Sequence, residues 1–272
     1  MTTIIRRRRN KIERLKADDG IWVEEANGLK NLAVNYFSKL FSQGHLVPTH
    51  MAIPNLFPGL ARADLSNLVK PVDFYEIKDS LFNIGNLKAP GVDGFPAGFY
   101  QNNWSFCAND IGDLVCNVFN EGVVPTNLNE TLITLVPKID SPQNMTHFRP
   151  ISLCCTLYKV ISKIIVARLR PLMADLISPH QVSFVPGRQI SDNIVIAQEL
   201  MHKFLASKGK KGFCAWKIDL SKAYDRLSWS FIEYVLNELS LPPQFIKLIM
   251  ACVSTVNYRI CINGELTEAF TP

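Results

Sequence analysis

At 272 residues and 30.6 kDa, with 47% apolar and 19% charged side chains, the chain has the composition of a globular protein and not of a disordered one. No uncharged apolar run approaches the ~20 residues that a membrane-spanning helix needs, so a helical span is excluded. The net charge of +5 favours an anionic partner without identifying it.

Arg6 to Lys16 ("RRRRNKIERLK") carries seven basic side chains and one acidic one. Such a run suits a phosphate-binding arm, a nuclear-import patch or an exposed terminus. Leu29, Leu32, Ala33, Tyr36, Phe37, Leu40 and Phe41 then fall at helical spacing. Pro48, Pro54 and Pro58 mark an irregular linker. Asp73 and Glu76 stand at capping-box spacing ahead of Ile77, Leu81 and Ile84, which predicts a short helix, and Pro90 and Gly91 break the pattern. A further helix is expected from about Trp104 to Phe119, with its stripe at Cys107, Ile111, Leu114, Val115 and Val118.

Thr131 to Lys138 ("TLITLVPK") has strand composition. Leu157 to Leu169 reads as a helix whose buried stripe is Val160, Ile161, Ile164, Ile165 and Leu169. Ile190, Ile194, Ala197, Met201 and Phe204 predict another, followed by the basic loop Ser207 to Gly212. "FCAWKID" reads as a strand, with Phe213, Ala215, Lys217 and Asp219 on one face. Trp229 to Leu239 and a segment reaching about Val253 read as helices separated by Pro242-Pro243. "VNYRICINGELTEAF" closes the series as a hairpin whose Asn263-Gly264 pair suits a type I′ turn. The seven cysteines show neither zinc nor disulfide spacing and read as reduced, buried thiols of an intracellular protein.

Lys138 to Arg170 and Lys203 to Lys222 each hold six basic side chains against one acidic one. Together with the N-terminal run they would form one phosphate-binding surface if folding gathers them. The same residues serve equally as solvated helix faces. Asp219 ends an apolar run and Asp225 follows six residues later. By themselves these carboxylates read either as metal ligands or as a strand end and a helix cap.

Larger blocks supply context. "NLKAPGVDGFPAGFYQNNW", "FRPISL", "LYKVISKIIVARL", "LISPHQVSFVPGRQISDNI" and "KIDLSKAYDRLSW" resemble, in order and spacing, the reverse transcriptase of plant LINE-type (non-LTR) retrotransposons. Arg6 to Phe41 resembles the segment that joins the family's endonuclease to its reverse transcriptase. The resemblance implies an α+β fold in which helix-rich fingers lead into an incomplete polymerase palm with an antiparallel hairpin. It divides the chain into a linker and helical segment, 1–70, and a truncated reverse transcriptase domain, 71–272.

It also implies roles. Asp219 takes the place of the first catalytic aspartate and is a Mg²⁺ ligand, with the carbonyl of Leu220 beside it. Tyr224 lies under the incoming sugar and excludes a ribose 2′-hydroxyl. Lys138 and Arg149 contact the triphosphate of the incoming dNTP. Gln181, Phe184, Gly187 and Arg188 shape the template and nucleotide pocket, while Asp225 is structural. The implied partners are an RNA template, a DNA primer and dNTPs, with no membrane, in a nuclear or cytoplasmic and not a secreted protein. Hard anionic oxygens suit such chemistry, because phosphoryl transfer relies on positioning and on charge at the phosphate oxygens.

The family's "RQGDPLSP" block and its aromatic-Ala-Asp-Asp hairpin have no counterpart in these 272 residues. One carboxylate cannot hold two ions roughly 3.5–4 Å apart, so the chain alone is expected to lack polymerase activity and to bind Mg²⁺ weakly or not at all. The Asp219 strand and the terminal hairpin are expected to have unpaired edges, as in a chain cut off inside a domain. The alternative reading is a retrotransposon relic that binds nucleic acid without catalysis or has no function.

Overall fold

The computed structural model describes residues 10–42, 57–207, 212–219 and 227–271. Its helices follow the apolar spacing. Helix α1 (Ala26–Phe41) buries Leu29, Ala33 and Phe37 at intervals of one turn. Next come α2 (Arg62–Leu68), α3 (Phe74–Phe82), the short α4 (Ala97–Asn102) and α5 (Trp104–Glu121). Gly122 ends α5 in the left-handed conformation, at φ 64°, where a glycine carries no Cβ penalty. Helices α6 (Thr156–Leu169), α7 (Met173–Leu176), α8 (Ile190–Ala206), α9 (Trp229–Glu238) and α10 (Pro243–Ser254) complete the set.

One core lies among the helices. It joins Ile77 and Leu81 of α3, Val115 of α5, Val160, Ile161 and Ile164 of α6 and Phe245 of α10. Burial of each such side chain stabilises the fold by about 1.5–3 kcal/mol before conformational entropy is counted. Asp73 caps α3, its Oδ1 accepting from the Glu76 N–H at 2.7 Å. The Glu76 carboxylate turns to α6, where it accepts from Arg168 Nε and Nη2, both at 2.8 Å. Gly91 crosses the start of α6 so closely that a Cβ there would stand 2.4 Å from the Cys155 nitrogen.

The second core is built on a four-stranded sheet of order β4-β3-β5-β6. Strand β3 (Glu130–Pro137) lies antiparallel to β4 (Phe148–Cys154) and parallel to β5 (Asn257–Ile262), which turns back into β6 (Glu265–Leu266). A small hairpin, β1 (Leu15–Lys16) and β2 (Trp22–Val23), forms a separate two-stranded sheet. Alternation along β3 buries Thr131, Ile133 and Leu135 on one face. That face shares its core with Leu15 and with Leu29, Ala33 and Phe37 of α1.

Three expectations need correction, and α8 adds an unforeseen exposure. The terminal hairpin has one unpaired edge and not two: β6 ends the sheet, while β5 takes β3 as a parallel neighbour across a connection that includes β4 and helices α6 to α10. Phe213–Asp219 forms no strand, since among the described residues nothing pairs with it and all its residues are exposed. A strand exists only through a hydrogen-bonded neighbour, whatever its composition. The periodic stripe of α8 is present, yet none of its residues is buried. The thiols are all free, but only Cys155 and Cys252 are buried and Cys214 is exposed. Among the described residues, no helix is long and apolar enough to cross a membrane.

Candidate functional site

The β3–β4 hairpin brings two of the expected cations together. Arg149 pairs across the ladder with Val136, and Lys138 follows two residues beyond Val136. The ladder continues past β3, with Lys138 N–H donating to the His147 carbonyl at 2.8 Å. Cross-strand partners share a face and side chains alternate, so Arg149 and Lys138 both lie on the face opposite Ile133 and Leu135. Diagonal neighbours of this kind stand roughly 7 Å apart, within reach of a single triphosphate. Lys138 is exposed and its Nζ donates to the Thr146 carbonyl at 2.9 Å. Arg149 is exposed, and its side chain has no hydrogen bond or ion pair among the described residues. Its planar fork therefore remains available for phosphate oxygens.

The same face carries a cation that sequence reading does not single out. Arg259 stands opposite Leu132 on β5, and its Nε donates to Glu130 Oε1. The signal is parity: Glu130, Leu132, Thr134 and Val136 fall on one side of β3, but only the parallel pairing puts Arg259 there.

The loop after α7 has a different construction. Val182 and Val185 are buried, while Phe184, at φ 63°, projects outward with 89% of its surface exposed. Gly187 also has a positive φ, 78°. Gln181 Nε2 donates to the Ser183 carbonyl at 3.3 Å. Arg188 Nη1 donates to the carbonyls of Ser178 and Gln181, and Nη2 to those of Ala174 and Ile177. Its fork is thus engaged by the loop, in contrast with the open fork of Arg149.

Asp219 is exposed, in a segment without assigned secondary structure. Leu220, Tyr224 and Asp225 lie outside the described residues, as do the Arg6 to Arg9 run and Lys208, Lys210 and Lys211. Among the described residues, no three His, Cys, Asp or Glu side chains gather where they could hold a metal. Of the positions named for a metal, Asp219 alone lies among the described residues.

The clearest pKa shifts lie outside the β3–β4 hairpin. Burial, and second the charge of Asp93, pushes Tyr100 up to about 12. Burial also raises the thiol of Cys155 and takes that of Cys252 to about 11. Glu265 is held below the ordinary carboxylate value by its hydrogen bond from Lys30. Each of these groups moves away from neutrality, so none is poised as a general base near pH 7. What the site offers is positive charge on a rigid hairpin.

Comparison with known families decides what this arrangement belongs to. Residues 136–271, which begin on β3 and include Lys138, Arg149 and Asp219, match the family model described as reverse transcriptase (RNA-dependent DNA polymerase). The chain belongs to the reverse transcriptase family.

Similarity reaches further along the chain than that match. The chain is 28% identical over 262 residues to the transposon TX1 uncharacterized 149 kDa protein of Xenopus laevis, an alignment covering 95% of this reverse transcriptase chain and 20% of the relative. It is 24% identical over 224 residues to the retrovirus-related Pol polyprotein from type-1 retrotransposable element R1 of Bradysia coprophila, covering 81% of the chain and 21% of the relative. The corresponding R2 polyprotein of the same organism is 23% identical over 202 residues, covering 74% and 22%. The chain thus spans about a fifth of the length of these curated relatives. The relationship is to non-LTR retrotransposon Pol proteins of the LINE, R1 and R2 kind, and it is not specific to plants.

Proposed function

We propose that the chain is the fingers and first palm portion of an RNA-directed DNA polymerase from a LINE-type element, in which Lys138 and Arg149 receive the triphosphate of the incoming dNTP. The carrying observation is the open fork of Arg149, on the same hairpin face as Lys138 and inside the family match. In this reading Asp219 is the metal-ligating carboxylate, Leu220 offers its carbonyl beside it and Tyr224 excludes the ribose 2′-hydroxyl. Gln181, Phe184, Gly187 and Arg188 shape the template side of the pocket, Arg188 by holding its loop, and Asp225 is structural. RNA template and DNA primer are the macromolecular partners. The plant origin rests on the quoted sequence blocks, as does the division at residue 70 into a leading segment and a reverse transcriptase domain.

The 272-residue chain alone does not extend primers in this reading, because the family's aromatic-Ala-Asp-Asp block has no counterpart in these 272 residues and one catalytic carboxylate cannot hold two ions. The second reading is a non-catalytic nucleic-acid-binding relic, which rests on the same missing sequence blocks. Lysine acylation read by mass spectrometry separates the readings: dNTP protects Lys138 but not Lys39 or Lys78 if the hairpin receives nucleotide. Unchanged labelling of Lys138 rejects that role. Salt-sensitive retention of an RNA–DNA hybrid without nucleotide protection supports the relic.

A further inference from the structure

Because β3 and β5 run parallel, the β3–β4 loop and the β5–β6 turn lie at the same end of the sheet. The N-terminal segment crosses that end and binds both. Ile12 is held by the Asn263 side chain, its N–H donating to Oδ1 and its carbonyl accepting from Nδ2, each at 2.8 Å. Four residues on, the Lys16 N–H donates to the Gln143 carbonyl in the β3–β4 loop at 2.6 Å. An extended stretch of that length reaches about 13 Å, and the midlines of two neighbouring hairpins are about 10 Å apart, so the span fits the gap.

Further contacts fix the segment in place. Ile12 and Leu15 are buried in the sheet core. Lys30 on α1 pairs with Glu265 on β6 at 2.6 Å. The choice of asparagine at 263 has a reason beyond its turn. Its φ of 55° could be supplied by glycine, but only an amide matches both the N–H and the carbonyl of Ile12, as a neighbouring strand would.

We propose that residues 10–41 act as a clasp holding the two hairpin turns at a fixed separation, with Asn263 a positioning residue that acts through Ile12 and Lys16 on Lys138 and Arg149. The clasp stands on its own geometry; its effect on nucleotide rests on the triphosphate reading given above. Lys138 and Arg149 are useful to a triphosphate only if their hairpin holds its place. The clasp supplies that constraint from a segment that, among the described residues, makes no hydrogen bond or ion pair with either side chain.

Asn263→Gly tests it in the full chain, since glycine keeps the turn and removes the amide. Amide exchange over residues 138–147 should quicken roughly tenfold, about one hydrogen bond's worth, while α3, α5 and α6 keep their rates. Asn263→Asp, which still accepts from the Ile12 N–H, should show a smaller increase. Retention of dTTP should weaken several-fold in Asn263→Gly. Unchanged exchange in 138–147, or an equal rise throughout the chain, overturns the clasp. Failure of the wild-type chain to retain dTTP would overturn the nucleotide reading instead, and exchange alone would then decide the clasp.

Discussion

Glu76→Ala removes one half of the ion pair that joins α3 to α6. The Arg168 side chain is only 4% exposed and that of Glu76 17%, so water cannot replace the lost carboxylate without opening the interface. The carbonyls of Leu68, Lys70 and Pro71 still accept from the guanidinium, and the Phe119 ring lies 5.2 Å from its central carbon. Those groups carry partial charges only. An uncompensated buried guanidinium costs about 3–5 kcal/mol, against a total stability of about 5–15 kcal/mol for a domain. In urea this is a midpoint lowered by roughly 1–2 M with an unchanged slope. Glu76→Gln keeps an acceptor and should lose less. The pair Glu76→Leu with Arg168→Met, which removes both charges, should recover much of the stability. A loss below about 1 kcal/mol for Glu76→Ala would mean that the guanidinium reaches water, and would refute the reasoning.

Two further outcomes follow from particular contacts. Gly91→Ala forces a methyl against the Cys155 backbone, so it should cost at least 1–3 kcal/mol, about the overpacking range, and lower Tm; a neutral effect would contradict the close approach. Burial raises Cys252 from its ordinary 9.0 to about 11. The unfolded thiol therefore loses its proton first as pH rises, so this contribution to stability is constant below pH 9 and falls between 9 and 11, by up to about 3 kcal/mol. Cys252→Ala should flatten that slope in pH-dependent urea titrations, and a thiol reagent should label exposed Cys214 well before Cys252 or Cys155.

The longer helices were legible because each repeats an apolar residue about every turn, and α3 also carries its start signal in Asp73; the short α2, α4 and α7, with too few turns to show a stripe, were not. Strand β4 was not, since Pro150 sits in its middle. The structure accommodates it because β4 is an edge strand, where a missing N–H is tolerated. Long-range pairings leave no local trace: β5 beside β3, and Asn263 on Ile12 across 251 residues. Arg168 had a visible signal, lying four residues after Ile164 on the buried stripe of α6, where a charge predicts a buried partner. In the candidate site, sequence named Lys138 and Arg149, but only the register of β3 against β4 places both on one open face. Phe213–Asp219 failed as a strand for the converse reason: composition favours the conformation, but pairing creates it.

The most direct test compares retention of dTTP with that of thymidine by the 272-residue chain and by Arg149→Ala. Because the Arg149 side chain has no hydrogen-bond or ion-pair partner among the described residues, its loss should leave Tm unchanged. The account predicts that the wild-type chain prefers dTTP in a salt-sensitive manner, and that Arg149→Ala weakens this about tenfold or more, as expected for a charged hydrogen bond to phosphate. Equal retention of dTTP and thymidine, or an Arg149→Ala chain that holds dTTP as well as wild type, would contradict it.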